Sequence, residues 1–127
     1  FFKILISSKG QPILYHCTAG KDRTGIASYL VQSLCDVEEN FIDESYLLSN
    51  DLLSSKEAVS EQQDTLKHPD KHVTPLMLST LGKVKISYLN SAKNLIKEKY
   101  QSVKSYFSNE LGFNNQDLNE LLTLYKK

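Results

Sequence analysis

The sequence has only two cysteines, too few for a disulfide framework. It has no surplus charge, since fifteen Lys and Arg balance fifteen Asp and Glu. That excludes a global field for drawing in nucleic acid or an anionic membrane, so any affinity for an anion must be local. No apolar run is long enough to span a bilayer and no signal peptide is visible. The chain opens on Phe1-Phe2-Lys3 without a methionine, which points to a fragment or a processed product. Downstream of residue 16 no second run reads convincingly as a strand. What is present is 127 residues, 40% hydrophobic and 24% charged, enough for one soluble globular domain.

Ten residues organise the chain: His16, Cys17, Thr18, Ala19, Gly20, Lys21, Asp22, Arg23, Thr24 and Gly25. The apolar run Pro12-Ile13-Leu14-Tyr15 leads in, and a helical pattern from Ile26 to Val37 leads out. Strand, tight loop and helix in that order aim successive backbone N–H groups into one concavity at a helix N-terminus, which suits an oxyanion. A cysteine at such a terminus has a lowered pKa, so Cys17 is a candidate nucleophile. Arg23, six positions on, can grip two phosphate oxygens with its planar fork. Gly20 lets the backbone turn without a Cβ clash. Thr24 offers a hydroxyl to a thiolate, attacking or leaving. His16 can orient the loop through a bond to backbone. Backbone groups from Thr18, Ala19, Gly20, Lys21, Asp22 and Arg23 form the expected phosphate cradle.

His-Cys-x-x-Gly-x-x-Arg-Thr-Gly between a strand and a helix resembles the signature of the protein tyrosine phosphatase superfamily, His-Cys-x5-Arg-Ser/Thr. The form His16-Cys17-Thr18-Ala19-Gly20-Lys21-Asp22-Arg23-Thr24 is most similar to the bacterial atypical tyrosine and phosphoinositide phosphatases typified by secreted mycobacterial phosphatase B and a Listeria lipid phosphatase. Tyr46-Leu47-Leu48-Ser49-Asn50 and Tyr106-Phe107-Ser108-Asn109-Glu110-Leu111-Gly112-Phe113 resemble helical segments of that family. Gln101 departs from it, because relatives often carry a glycine after the tyrosine.

The resemblance implies an α/β fold of which this chain is the C-terminal, mostly helical portion: a central parallel strand, a phosphate loop and about six helices. The partner strands, and the aspartate loop that protonates the leaving group, would lie upstream and be missing here. A missing N-terminal part of the domain, or a second copy swapping its strand, would then complete the sheet, unless the strand does not form. The implied activity is cysteine-dependent hydrolysis of phosphate monoesters through a phosphocysteine, with no metal or organic cofactor. The implied partners are a phosphotyrosine protein or a phosphoinositide, with phosphate or sulfate able to sit in the loop. Two other readings are a phosphate-binding fragment impaired in turnover and a strand-swapped helical assembly module. The compartment, cytoplasmic or secreted, is not fixed.

Along the chain, residues 1–9 read as the end of a helix, 12–16 as the central strand, 17–23 as the phosphate loop, and 24–127 as a helical region with a polar excursion at 54–72. Ile26, Ala27, Leu30, Val31 and Leu34 mark a core-facing helix. A second runs from about Phe41 to Leu53. Thr74-Pro75 opens a short one ending near Gly82. Leu89, Ala92, Ile96 and Tyr100 mark another over about Val84 to Tyr100. Ser102 caps the next, which Gly112 closes. Asn115 begins the last, with Leu118, Leu121, Leu122 and Tyr125 on one face.

The remaining polar residues divide. Lys21 either binds a substrate phosphate or flanks the loop, and the resemblance favours contact with phosphoinositide head groups. Asp22 inside an anion cradle repels its ligand, so it either pairs with a base or serves as an acid or base on the hydrolytic water. His68 and His72 flank a proline and lack a third ligand, so they read as exposed loop histidines rather than a metal site. Cys35 reads as a small core residue.

Overall fold

The computed structural model describes residues 1–53 and 82–126, which form seven helices. They are α1 (Phe2–Ser7), α2 (Asp22–Leu34), α3 (Glu39–Leu47), α4 (Ser49–Leu53), α5 (Ile86–Tyr100), α6 (Val103–Asn109) and α7 (Asn115–Tyr125). The polar excursion, the helix opening at Thr74-Pro75 and the histidines at 68 and 72 lie outside the described residues.

The termini follow local chemistry. Ser102 Oγ accepts from the backbone N–H of Ser105 at 3.0 Å and starts α6. Asn114 and Asp117 satisfy each other's backbone amides in a reciprocal cap and start α7. Gly112, at φ +68°, turns the chain between the two. The expected helix from Phe41 to Leu53 is two, breaking at Leu48. The helix after the loop starts at Asp22, so Asp22 and Arg23 belong to its first turn rather than to the loop.

The central strand expected at 12–16 is not formed: Pro12–His16 carries no regular secondary structure, and no strand occurs among the described residues. A strand is a pairing as much as a conformation, and no described segment offers an edge to pair with. Leu14 is 94% exposed, whereas a residue of a central parallel strand would be covered on both faces. Side chains hold the segment instead. Tyr15 and Ser28 of α2 share a hydrogen bond of 2.6 Å, and the Phe1 ring lies 4.7 Å from that of Tyr15.

One core unites the helices. Leu89, Phe107, Leu118 and Leu121 are fully buried, with Leu30, Leu34, Ile42 and Ile96 around them. α2 packs against α3, α5 and α6, and α1 lies on α7. Phe2 anchors α1 by setting its ring 4.6 Å from Phe107. The Tyr125 hydroxyl donates to the Leu5 carbonyl at 3.0 Å. α2 is thereby fixed on several sides, and the residues before it are presented at its free N-terminal end.

Candidate active site

The N-terminus of α2 has no side-chain cap. The first amides of a helix have no intrahelical partner, so the loop before α2 must answer them. Gly20 makes the turn at φ +66°, with open space where a Cβ would stand. The loop returns Cys17 to the helix start, where its backbone N–H donates to Thr24 Oγ1 at 2.9 Å. Since that oxygen already accepts, its own proton is free for the sulfur.

The sulfur is well supplied with donors. The Thr24 hydroxyl, the largest influence, and the backbone N–H groups of Thr24, Ala19 and Gly20 hold the Cys17 pKa down to about 6 against some desolvation. Cationic side chains are not among the causes. Hydrogen bonds to the charged form act as a nearby positive charge would. Cys35 contrasts with this, because burial pushes its thiol up.

Arg23 lies across the loop, its Nη2 donating to Thr18 Oγ1 at 3.0 Å. It makes no ion pair among the described residues, so the guanidinium borders the concavity. His16 Nδ1 lies 3.1 Å from the Cys17 carbonyl, the backbone contact expected of it, with Nδ1 carrying the proton if the carbonyl accepts.

Lys21 takes the less expected course. It is 6% exposed, its Nζ 3.2 Å from both carboxylate oxygens of Asp22 and 3.5 Å from the Lys83 carbonyl. The ammonium turns into the protein rather than over the loop. Asp22 is thereby paired with a base, one of the two arrangements its sequence position allowed.

Two features escaped the sequence. Asn50 clamps Val84 at both backbone groups, donating to its carbonyl at 3.1 Å and accepting from its N–H at 2.7 Å. This fixes the residues beside Lys83, on which Lys21 leans. Gly25 lies so close to Tyr46 that a Cβ there would meet the ring at 2.5 Å, so α2 and α3 meet through a glycine just inside the helix. Only membership of a longer familiar segment marked Asn50 and Gly25, with no local signal of either contact. A larger cavity of about 490 Å³ lies between α2, α3 and α5, away from Cys17. Its Lys93 is already paired with Glu39 and Asp43.

No group of metal-ligating side chains occurs among the described residues, and no described helix is long and apolar enough to cross a membrane.

Comparison with known proteins supplies the family. A profile described as the tyrosine phosphatase family matches residues 1–127. A Cupriavidus necator protein assigned to the tyrosine-protein phosphatases is 33% identical over 102 residues, 80% of this chain and 36% of that protein. The triple specificity protein phosphatase PtpB of Mycobacterium tuberculosis is 34% identical over 111 residues, 81% of this chain and 40% of that protein. A tyrosine-protein phosphatase of Nostoc commune is 34% identical over 62 residues, 49% of this chain and 21% of that protein. The chain thus spans two fifths or less of the length of the relatives it matches.

Proposed function

Because the chain belongs to the tyrosine phosphatase family, we propose that it carries the nucleophilic and phosphate-binding part of a cysteine-dependent phosphate monoester hydrolase. The Cys17 thiolate attacks phosphorus in line. The S–P bond forms as the ester P–O bond breaks, and the leaving oxygen takes a proton. Backbone N–H groups of residues 18–23 and the Arg23 guanidinium hold the equatorial oxygens as charge moves onto them. Water then attacks the phosphocysteine, the thiolate departs with the Thr24 hydroxyl donating to it, and inorganic phosphate is released. The chemistry calls for no metal or organic cofactor.

Phosphotyrosine proteins are the first substrate class. Phosphoinositides are a second, in keeping with the triple specificity named for the mycobacterial relative, and would require Lys21 to leave Asp22 and turn outward. Protonation of the leaving group falls either to Asp22 or to an acid that residues 1–127 do not supply.

The observation that carries this reading is a sulfur with a pKa of about 6 at an uncapped helix start bordered by Arg23. The test is turnover of an activated aryl phosphate by wild type and Cys17→Ser. Without a second acid, the rate of the 127-residue chain should fall short of a complete phosphatase by about 10²–10⁴, the usual worth of general acid catalysis. Cys17→Ser should reduce it to background and abolish the alkali-stable, iodine-cleavable thiophosphate phosphoenzyme. Turnover that survives Cys17→Ser would overturn the assignment.

A further inference from the structure

Among the described residues, Lys21 is the charged side chain that the fold buries. A buried ammonium needs partners. It has them in Asp22, with both carboxylate oxygens at 3.2 Å, and in the Lys83 carbonyl at 3.5 Å. Asp22 is the next residue and comes with the helix start, whereas Lys83 arrives from 62 positions away. Residues 83–85 carry no regular secondary structure, so that segment does not hold the carbonyl in place by itself.

Asn50 supplies the hold. Its carboxamide carries a donor and an acceptor, as a peptide group does. It accepts from the Val84 N–H at 2.7 Å and donates to the Val84 carbonyl at 3.1 Å. One side chain of α4 thus fixes both backbone groups of the residue that follows Lys83. These hydrogen bonds go to Val84 and not to the loop. A second tie leaves the same stretch of chain, because Tyr46 of α3 is seated against Gly25 of α2. The contacts close a ring around the start of α2, from Lys21 through Lys83, Val84 and Asn50, back along α4 and α3 to Tyr46, and on to Gly25.

We propose that Asn50 is a positioning residue for anion binding: by fixing residues 83–84 it keeps the Lys21 ammonium turned inward on Asp22, so that the carboxylate beside the loop stays neutralised when an anion arrives. This rests on the reading of residues 17–23 as the phosphate loop. Without the Asn50 clamp, Lys21 loses the Lys83 carbonyl and its buried place. An ammonium moving freely in solvent offsets a carboxylate far less than one fixed against it, so Asp22 then repels the anion. One like charge at contact distance lowers affinity about five-fold even in water.

The test has two arms on the 127-residue chain. In the first, lysines are acetylated with an N-hydroxysuccinimide ester and read site by site by mass spectrometry. Lys21 should be protected in wild type and become at least about five-fold more reactive in Asn50→Ala, the change expected when a buried amine gains solvent. Lys93, held by Glu39 and Asp43 away from this ring, should stay protected. Where Lys93 opens too, the fold has loosened, and the milder Asn50→Ser decides. In the second arm, calorimetry at low ionic strength gives the dissociation constant of inorganic phosphate. Asn50→Ala should weaken it about five-fold with Asp22 present and by less than about two-fold in an Asp22→Asn background. The Cys17 midpoint, set by Thr24 and by amides of the loop, should remain near 6, whereas general disordering of the loop would raise it. A Lys21 that is freely acetylated in wild type, or no more reactive in the Asn50 variants, overturns the proposal, as does an equal loss of phosphate affinity with and without Asp22. Failure of wild type to bind phosphate overturns the phosphate loop instead, and the acetylation arm, which needs no phosphate, still decides whether Asn50 holds Lys21 inward.

Discussion

Thr24 is the residue on which the state of Cys17 turns. Its hydroxyl is the largest influence holding the Cys17 pKa at about 6 rather than the thiol's ordinary 9.0. A hydrogen bond to a charged group contributes about 1.5–3 kcal/mol, or roughly one to two pKa units. Thr24→Val, which keeps the shape and removes the donor, should then raise the midpoint from about 6 to roughly 7–8. The assay is alkylation of Cys17 by iodoacetamide across pH 4–10, followed by site-resolved mass spectrometry so that Cys35 does not intrude. Two effects oppose each other. The variant has less thiolate at low pH, but each thiolate is the better nucleophile, because reactivity rises with pKa at a slope of about 0.4–0.5. For a shift of about 1.5 units the variant should react roughly six-fold more slowly near pH 5 and roughly five-fold faster above pH 9, so the two profiles cross. Salt provides a second arm. Donors in direct contact are little screened, so the wild-type midpoint should stay near 6 between low and high ionic strength, where a midpoint set by surface cations would climb. A wild-type midpoint above 8, or superimposable profiles for the two proteins, would refute the hydrogen-bond account.

Gln101 closes α5 at φ +67°, a conformation that costs a side-chain-bearing residue about 1 kcal/mol; Gln101→Gly should raise stability by about that much in urea unfolding. Gly25→Ala would drive a Cβ to 2.5 Å from the buried Tyr46 ring, and should cost about 1–3 kcal/mol by the same measurement. Asn50→Ala leaves the backbone N–H and C=O of Val84, 3% exposed, without their partner, and should cost about 1–3 kcal/mol; loss of hydrogen-exchange protection at the Val84 amide would locate the damage.

The loop was legible because its chemistry is local. Gly20, Thr24 and Arg23 act on neighbours within seven positions of Cys17, and their residue types announce the turn, the donor and the fork. The cap at Ser102 and the start of the last helix at Asn115 were legible for the same reason. Gln101 was visible as an odd residue after a helix, and its positive φ gives the physical reason a glycine suits the place. The strand at 12–16 could not be settled from its own composition, since Ile13, Leu14 and Tyr15 describe a segment fit for a sheet without supplying a neighbour. Lys21 turns inward toward a carbonyl 62 residues away, and Asn50 closes on a residue 34 away; neither partner leaves a mark in the neighbouring sequence.

The distribution of charge around the loop then acquires a physical meaning. Lys21 and Asp22 cancel each other in a shared pair, and Arg23, without an ion pair among the described residues, borders the concavity as a cation. The sulfur is kept anionic by a hydroxyl and by amides, which are neutral dipoles fixed by the backbone. A cradle of this kind needs no excess of basic residues, consistent with a chain whose formal net charge is zero. It also answers the objection that a carboxylate beside a phosphate site repels the ligand. With its charge offset by a buried ammonium, Asp22 can stand at the mouth of the loop without closing it to an anion. If the loop holds phosphate as proposed, binding depends on backbone shape more than on side-chain charge, and turning the loop at Gly20 matters as much to the site as the arginine at its rim.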